Sequence, residues 1–354
     1  MLLIDGHLDL AMNALNLNRD LTRSVFEIRK QEIGMPGKGR AMGTVAFPEM
    51  RTGEVGVCLA TVIARIAKKD KPLEGYSSPE IAYAMAKGQL AYYRILESQG
   101  QVRIIENLEN LNSHVEDWRQ PSRKDVPLGF ILAMEGADPI LSPAQLKSWW
   151  KDGLRVVSLS HYGVSTYAYG TGTIGGLKPL GRELLERMDS IGVVLDVTHL
   201  SEGSFWEALD TFSGPVIASH NNCQALVPGD RQFSDEQIRA LIKRDAVIGV
   251  ALDAWMLYPG WVKGKTPNTV VSLETVADQM DHIRRLAGNS RNTAIGSDLD
   301  GGFGKEQCPH DLDTIADLQK IPEILKKRGY TEEDIRNIMH GNWLRIFHQA
   351  WSEG

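Results

Sequence analysis

The stretch LLIDGHLD at residues 2–9 is a short apolar run that leads directly into a His-x-Asp pair. Leu2–Ile4 predicts a buried strand. His7 and Asp9, two residues apart at its end, would then point to the same face about 6.5–7 Å apart. An imidazole and a carboxylate presented in this way can bind one metal ion. Alone, the pair is also typical of an ordinary polar strand end, so its meaning depends on how the other strands end.

Nine apolar runs, most of them rich in β-branched residues, recur along the chain with helical patterns between them. They are Leu2–Ile4, Val55–Ile63, Val102–Ile105, Leu128–Met134, Leu154–Leu159, Val193–Val197, Val216–Ser219, Val247–Leu252 and Thr293–Ile295. Most are continuously hydrophobic rather than alternating, which is typical of parallel strands covered on both faces. Strands that alternate with helices over 354 residues predict a (β/α)8 TIM barrel or a doubly wound sheet.

A barrel has eight strands, so one of the nine runs must lie outside it. We exclude Val102–Ile105, because it leads directly into a polar helix at Glu106–Asn112. The stretch Tyr162–Gly176 is too long for a plain turn and predicts a loop over the active face. No shift in composition marks a linker, and we therefore predict a single domain over residues 1–354.

Short sequence signals mark where helices begin and end. Ser234 with Gln237, and Thr331 with Asp334, form the capping pattern that starts a helix. Gly192 is placed as a helix stop ahead of the next strand.

The composition excludes several classes of partner. A formal charge of −6 and a pI near 5.9 argue against nucleic acid and anionic membranes. The basic run Lys68–Lys71 is short and predicts a solvated loop or helix end. No apolar run reaches the roughly 18–20 residues that span a bilayer. Three scattered cysteines form no disulfide framework, and together these features lead us to expect a cytoplasmic location.

Six of the eight predicted barrel strands end in an ionisable side chain. These residues are His7 and Asp9, Glu135, His161, His199, His220 and Asp298. A single histidine at a strand end is more often structural than a ligand, but a placement shared by several strands reverses that expectation. The carboxyl ends of the strands are the rim on which TIM barrels build active sites. The sequence therefore predicts one polar site at this rim.

Imidazole and carboxylate side chains without thiolates favour Zn²⁺, with Mn²⁺, Co²⁺ or Fe²⁺ as alternatives. Five such side chains exceed what one catalytic zinc ion takes, because a position must remain open for water. Two ions that share a carboxylate solve this. His7 and Asp9 would bind one ion, His199 and His220 the other, and Glu135 would bridge them.

Several segments of the chain match one known family in order and spacing. They are Asp5–Asp9, Met134–Gly136, Leu159–His161, Gly175–Gly181, Leu195–Ser201, Pro215–Asn221, Gly296–Gly301 and Gly341–Phe347. On these segments the chain resembles the membrane dipeptidase (renal dipeptidase, M19) family of the amidohydrolase superfamily over nearly its whole length. Each segment is moderately specific, but their common order is highly so.

The resemblance implies a zinc-dependent dipeptidase on a TIM barrel of the metallo-dependent hydrolase type, which cleaves dipeptides with a metal-bridging hydroxide. It implies five ligands to two zinc ions: His7, Asp9, Glu135, His199 and His220. It also implies that His161 contacts the substrate and stabilises the tetrahedral intermediate, that Arg231 holds the terminal carboxylate and that Asp298 shuttles protons. From spacing alone, Arg231 could equally be a surface arginine ahead of a capped helix.

Two alternatives remain open. Another amidohydrolase-type activity, on N-acyl amino acids, lactones or β-lactams, is disfavoured because most such enzymes begin with His-x-His. A catalytically dead homologue kept for binding is disfavoured because all five ligand positions carry competent side chains. The expected partner is a small dipeptide, with no nucleic acid or membrane, and relatives are often homodimers.

Three segments depart from the family pattern, and we expect them to line the substrate pocket. Ala137 and Asp138 follow Glu135-Gly136, where many relatives carry Gly and His. The other two are Ala251–Gly260 and the Tyr162–Gly176 loop with its tyrosines Tyr167 and Tyr169. The preferred side chains of the substrate therefore stay open.

Overall fold

The computed structural model describes residues 1–67, 75–120 and 126–352, and the strands found there form one parallel sheet. The strands are β1 (Leu3–Leu8), β2 (Val55–Val62), β3 (Val102–Ile104), β4 (Leu128–Met134), β5 (Leu154–Ser158), β6 (Val194–Asp196), β7 (Val216–Ala218), β8 (Val247–Val250) and β9 (Thr293–Ile295). Eight of them pair in the order β1-β2-β4-β5-β6-β7-β8-β9. The ends of this order meet where the Asp298 N–H donates to the His7 carbonyl oxygen at 3.3 Å. The predicted (β/α)8 barrel is confirmed, and the doubly wound sheet is wrong.

Helices follow the strands around the outside of the barrel. They are α1 (Leu10–Leu17), α2 (Val25–Gln31), α3 (Phe47–Thr52), α4 (Pro79–Ser98), α5 (Leu108–Arg119), α6 (Leu146–Lys151), α7 (Pro179–Ile191), α8 (Glu202–Thr211), α9 (Asp235–Lys243), α10 (Leu273–Ala287), α11 (Ile321–Lys327), α12 (Glu332–Arg336) and α13 (Asn342–Trp351). Shorter 3-10 turns lie at Pro143–Gln145, Ala254–Met256, Asn268–Val270, Lys305–Gln307 and Ile315–Lys320, with a π-helical turn at Asn337–Gly341. Both predicted capping boxes form, at Ser234 and Thr331. Gly192 ends α7 with a φ of 75°, which favours glycine.

The ninth strand, β3, is real but lies outside the barrel. It pairs with β4 from Val102↔Leu128 to Ile104↔Phe130, whereas β5 pairs with β4 only from Leu132 onward. β5 therefore leaves one edge of the amino-terminal residues of β4 unpaired. β3 pairs with that edge and satisfies the hydrogen-bonding groups of the β4 backbone there. The prediction that this run is not a barrel strand is confirmed.

The first strand differs from its prediction in one respect. β1 continues through His7 to Leu8, and its register against β2 shifts between Asp5 and Leu8. Such an irregularity can redirect a side chain. Asp9 is the residue that precedes α1, with φ −83° and ψ 50°, so the prediction that His7 and Asp9 share one face of a regular strand is wrong. The bend at the strand end brings them together instead.

Apolar side chains from all eight barrel strands fill its interior. They are Ile4, Val57, Leu59, Ile131, Ala133, Val156, Val194, Ile217, Val247 and Ala294. Trp343 and Phe347 of α13 pack against this set, and the Trp343 indole donates to the Ile295 carbonyl oxygen at 2.9 Å. The π-helical turn Asn337–Gly341, which precedes α13, contacts β1 and β9, and its His340 Nδ1 lies 3.0 Å from the Leu2 carbonyl oxygen. α13 therefore closes the amino-terminal end and leaves the carboxyl ends as the mouth.

Among the described residues, no helix combines the length and the apolar composition that crossing a membrane requires. The basic run Lys68–Lys71 lies outside the described residues.

Candidate metal centre

All seven ionisable residues predicted at strand ends meet at the mouth of the barrel. His7 lies in β1, and the others follow their strands within three residues. They are Asp9 after β1, Glu135 after β4, His161 after β5, His199 after β6, His220 after β7 and Asp298 after β9. The common placement arises because parallel barrel strands all end at the same rim.

One oxygen atom of Glu135 lies at the centre of this cluster. The Nε2 atoms of four histidines surround Glu135 Oε1: His199 at 3.2 Å, His220 at 3.4 Å, His161 at 3.6 Å and His7 at 3.7 Å. The His199 and His220 Nε2 atoms are themselves only 3.3 Å apart. All four imidazoles therefore direct the same ring nitrogen toward one carboxylate.

Two further carboxylates flank His7. Its Nε2 atom lies 3.6 Å from Asp9 Oδ1 and 3.9 Å from Asp298 Oδ1. The ligand atoms fall into three overlapping groups, each within 4.8 Å: His7, Asp9 and Glu135; Glu135, His199 and His220; His7, His220 and Asp298. The first two groups share Glu135, which is the arrangement expected of a bridging carboxylate.

The electrostatics of the cluster fit a divalent cation centre. Burial, opposed by His7 and reinforced by Asp9, raises the pKa of Glu135 to about 8. Burial lowers the pKa of His7, but the Glu135 and Asp9 carboxylates outweigh it and raise that pKa to about 10. His7 Nε2 is nevertheless buried without a hydrogen-bond partner among the described residues. Buried carboxylates that hold a proton on an imidazole also attract a cation, which offsets their desolvation.

Two of the other three histidines of the cluster, His199 and His220, are held neutral. Burial, together with Arg231 for His199 and with His7 for His220, lowers the pKa of both imidazoles well below the usual value. A neutral imidazole offers a lone pair for coordination. No thiol belongs to the described cluster, because Cys223 is buried elsewhere and burial raises its pKa to about 12.

Hydroxyl groups fix the orientation of these two rings. His199 Nδ1 lies 3.0 Å from Thr171 Oγ1, and His220 Nδ1 lies 2.8 Å from Ser219 Oγ. A hydroxyl oxygen can accept the proton of Nδ1, and Nε2 then has its lone pair free to bind metal. Sequence reasoning missed Thr171, which lies in the long loop after β5, and Ser219, the residue before His220.

His161 is oriented by a different residue, which sequence reasoning also missed. Arg65 Nη1 lies 2.9 Å from His161 Nδ1. A guanidinium only donates hydrogen bonds, so Nδ1 accepts and the ring proton resides on Nε2, the atom that faces Glu135. Arg65 follows β2, one of the two barrel strands for which no ionisable end was predicted. Looking three residues past that strand would have found it.

Arg231 lies in the wall of the site and is not a surface residue. It is 3% exposed, its Nη1 donates to Asn221 Oδ1 at 2.6 Å, and its Nη2 donates to the His220 carbonyl oxygen at 2.8 Å. These two bonds use two of the five guanidinium N–H groups. The structure therefore rules out the surface interpretation and leaves donors for an anion.

The backbone is strained at two site residues. His199 has a φ of 67° and Asp298 a φ of 56°, in the left-handed region that non-glycine residues rarely adopt. Such strain persists only where the surroundings impose it, and it is concentrated at functional sites.

A cavity of about 520 Å³ opens above the cluster. Its lining includes Glu135, His161, Arg231, Asp253 and Trp255. This volume is typical of a small-molecule site. Asp253 and Trp255 belong to the segment Ala251–Gly260, so this segment lines the pocket as expected.

The long loop after β5 contributes Tyr162 to that cavity. Tyr162 is the part of this loop found in the described lining, which does not include Tyr167 or Tyr169. Tyr167 is fully buried, and its hydroxyl donates to the Ile140 carbonyl oxygen. In the core, the Tyr167 ring is removed from water and its hydroxyl group still has a hydrogen-bond partner.

Comparisons with known proteins show which family and which solved structures this chain is similar to. A family model for the membrane dipeptidases (Peptidase family M19) matches residues 1–353. Dipeptidase 3 of Rattus norvegicus is 24% identical over 357 residues, which cover 98% of this chain and 65% of that protein. The chain thus spans about two thirds of that relative's length.

Two solved structures share the fold over 99% of this chain and 99% of their own. One is described as dipeptidase AC, a metallopeptidase of family M19, with a TM-score of 0.81 at 20% identity. The other is a metallopeptidase from Rhodobacter sphaeroides with a bound phosphinate mimic of the dipeptide L-Ala-D-Ala, with a TM-score of 0.80 at 20% identity. At these identities the similarity establishes the fold.

Proposed function

The chain belongs to the membrane dipeptidase family, peptidase family M19, and from that membership we propose that it is a zinc-dependent dipeptidase. The observation that carries the proposal is the convergence of four histidine Nε2 atoms on Glu135 Oε1 within 3.2–3.7 Å at the barrel mouth. A family of metallopeptidases and a buried cluster of metal-type ligands point to the same chemistry.

Two zinc ions would be held by five side chains. His7 and Asp9 would bind one ion, His199 and His220 the other, and Glu135 would bridge them. Ions held there would supply the central chemistry, because they lower the pKa of a water molecule and polarise a peptide carbonyl. Thr171 and Ser219 would keep two of the imidazoles in the tautomer that binds metal.

Three further side chains would bind the substrate and move the proton. His161, held by Arg65 with its Nε2–H toward the site, would donate a hydrogen bond to the carbonyl oxygen as negative charge develops on it. Asp298, beside His7, would accept a proton from the attacking water and pass it to the departing amine. Arg231 would bind the free carboxylate of the substrate, which restricts substrates to about two residues.

Assays of substrates and metals test this function. The purified chain, with and without added zinc, is given L,L- and L,D-dipeptides, their C-terminal amides, N-acyl amino acids and lactones. We expect about two metal ions per chain and zinc-dependent cleavage of free dipeptides. The phosphinate mimic bound to the Rhodobacter sphaeroides protein favours including L-Ala-D-Ala. Preferred cleavage of N-acyl amino acids or lactones would contradict the dipeptidase, and a metal-free, inactive chain would indicate a binding homologue.

Three further expectations stay predictions. A homodimer is tested by light scattering, a cytoplasmic location by cell fractionation, and a single domain over residues 1–354 by one cooperative unfolding transition.

A further inference from the structure

Asp253 is a buried carboxylate in the wall of the cavity. It lies three residues after β8, is 5% exposed and precedes the 3-10 turn Ala254–Met256. It lines the same cavity as Glu135, His161 and Arg231. Nothing in the proposed chemistry uses it, and it belongs to the segment in which this chain departs from the family pattern.

The hydrogen-bond partners of Asp253 in the described part of the chain are neutral donors. Its Oδ1 accepts from Gln307 Nε2 at 2.7 Å and from the Trp255 N–H at 3.3 Å. No described lysine, arginine or histidine nitrogen lies within 4.0 Å of this carboxylate, and the cations that act on it from farther away are the exposed Lys38, at the cavity wall, and the exposed Lys263. Burial raises the pKa of Asp253 to about 6.

A buried carboxylate without a cationic partner is unfavourable, and a cation that enters the cavity offsets that cost. Apart from the proposed metal ligands and Asp298, the described lining of the cavity has one carboxylate, Asp253, and one fully buried cation with unused donors, Arg231. A free dipeptide carries the complementary pair of charges, an ammonium group at one end and a carboxylate at the other.

We propose that Asp253 recognises the positively charged nitrogen of the substrate's amino-terminal residue. The cation is the α-ammonium group or, in a basic residue, the side-chain ammonium or guanidinium. This inference rests on the proposed dipeptidase function. Asp253 then binds the amino-terminal end of the substrate and Arg231 binds its carboxylate. Peptides blocked at the amino terminus are therefore poor ligands.

The test compares the zinc-loaded parent with Asp253→Asn. The Asn side chain is isosteric and still accepts hydrogen bonds from Gln307 and Trp255. Asp210→Asn, at an exposed position on α8, removes the same charge from the surface as a control. Substrates are Ala-Ala, Lys-Ala and N-acetyl-Ala-Ala, the last measured as a competitive inhibitor if it is not cleaved.

We expect Asp253→Asn to raise KM for Ala-Ala about 10- to 100-fold, the loss of one charge-assisted hydrogen bond, with kcat changed less than about threefold. KM or the inhibition constant of N-acetyl-Ala-Ala should stay the same, because it lacks the cation. A loss confined to Lys-Ala identifies the side chain as the cation. Equal effects on the free and acetylated dipeptides, or no effect on either, overturn the proposal.

Two outcomes separate this inference from the function on which it rests. A parent protein that cleaves no dipeptide refutes the function, whereas an active parent with an unchanged Asp253→Asn variant refutes only the role of Asp253. If Asp253→Asn does not fold, the Lys38→Met variant, which changes an exposed residue, tests the proposal instead. Removing this competing cation should strengthen the preference for Ala-Ala over N-acetyl-Ala-Ala about two- to fivefold, and an unchanged preference overturns the proposal.

Discussion

The two ends of the barrel are built from the same eight strands but follow opposite rules. At the amino-terminal end, Trp343 and Phe347 fill the space with apolar surface, and the Trp343 indole N–H donates to the Ile295 carbonyl oxygen. At the carboxyl end, buried carboxylates and imidazoles crowd together, and His7 Nε2 has no hydrogen-bond partner among the described residues. The left-handed backbone at His199 and Asp298 adds strain to this end.

The difference separates stability from function within one fold. The closed end gains free energy from burial of apolar surface. The mouth holds charged groups that are unfavourable without a ligand, which is typical of sites selected for activity. Substitutions at the two ends should therefore affect different measurements.

Glu135→Gln should have the largest effect on activity. It removes the carboxylate on which four Nε2 atoms converge, so both proposed metal sites lose a ligand. We expect kcat/KM for a dipeptide to fall on the order of 10⁴-fold, the loss of several kcal/mol of metal-derived stabilisation. Bound metal should also fall below two ions per chain, measured by elemental analysis. The control is Glu109→Gln, at an exposed position in α5. If Glu135→Gln keeps a near-parental metal content and rate, Glu135 does not bridge two metal ions.

Asp298→Asn tests a different role at the same end. If Asp298 moves the proton, kcat should fall roughly 10²- to 10⁴-fold, the usual size of general acid–base catalysis. Metal content should stay near that of the parent, because all five proposed ligands remain. Steady-state kinetics with parallel metal analysis measure both. Parental turnover would exclude the proton shuttle, and lost metal would make Asp298 a ligand.

Trp343→Ala should show the opposite pattern at the closed end. Trp343 is fully buried against the barrel interior. Its truncation should lower the free energy of unfolding by about 3–5 kcal/mol through lost burial and a residual cavity. Denaturant unfolding measures this, and kcat of the folded fraction should stay near parental. The exposed Phe26→Ala is the matched aromatic control and should change stability by less than about 0.5 kcal/mol. A large loss of kcat in Trp343→Ala would mean that the two ends are not independent.

Arg65→Leu should have the smallest effect, because Arg65 acts through another residue. Without the 2.9 Å contact to His161 Nδ1, the imidazole can rotate or change tautomer. We expect kcat to fall roughly 10- to 100-fold, as for other partners that orient a functional histidine. KM should change little, and Arg65→Lys should restore part of the rate. In a His161→Gln background, Arg65→Leu should cost almost nothing more. If Arg65→Leu lowers kcat by the same factor in that background, Arg65 acts on the substrate directly and not through His161.

How far the sequence reached is clearest at the strand ends. Six ends carry an ionisable residue within three positions of an apolar run, and those residues could be predicted to meet because all parallel strands finish at one rim. The other two ends were missed. Arg65 and Asp253 each lie three residues past β2 and β8, behind apolar residues that the sequence pattern includes in the strand. Yet Arg65 lies two residues past the predicted run Val55–Ile63, and Asp253 directly follows the predicted run Val247–Leu252, so both were within the range searched at the other six ends.

The sequence by itself determined the barrel, the side chains at its mouth and the metal-type character of those side chains, because period, order and residue type are local properties. Only the tertiary structure decided that Glu135 Oε1 is the common point of four imidazoles, that Arg65 sets the tautomer of His161, and that Asp253 is buried without a cation beside it in the described chain. These facts depend on distances between segments at least 26 residues apart in the chain, and no local pattern encodes such distances.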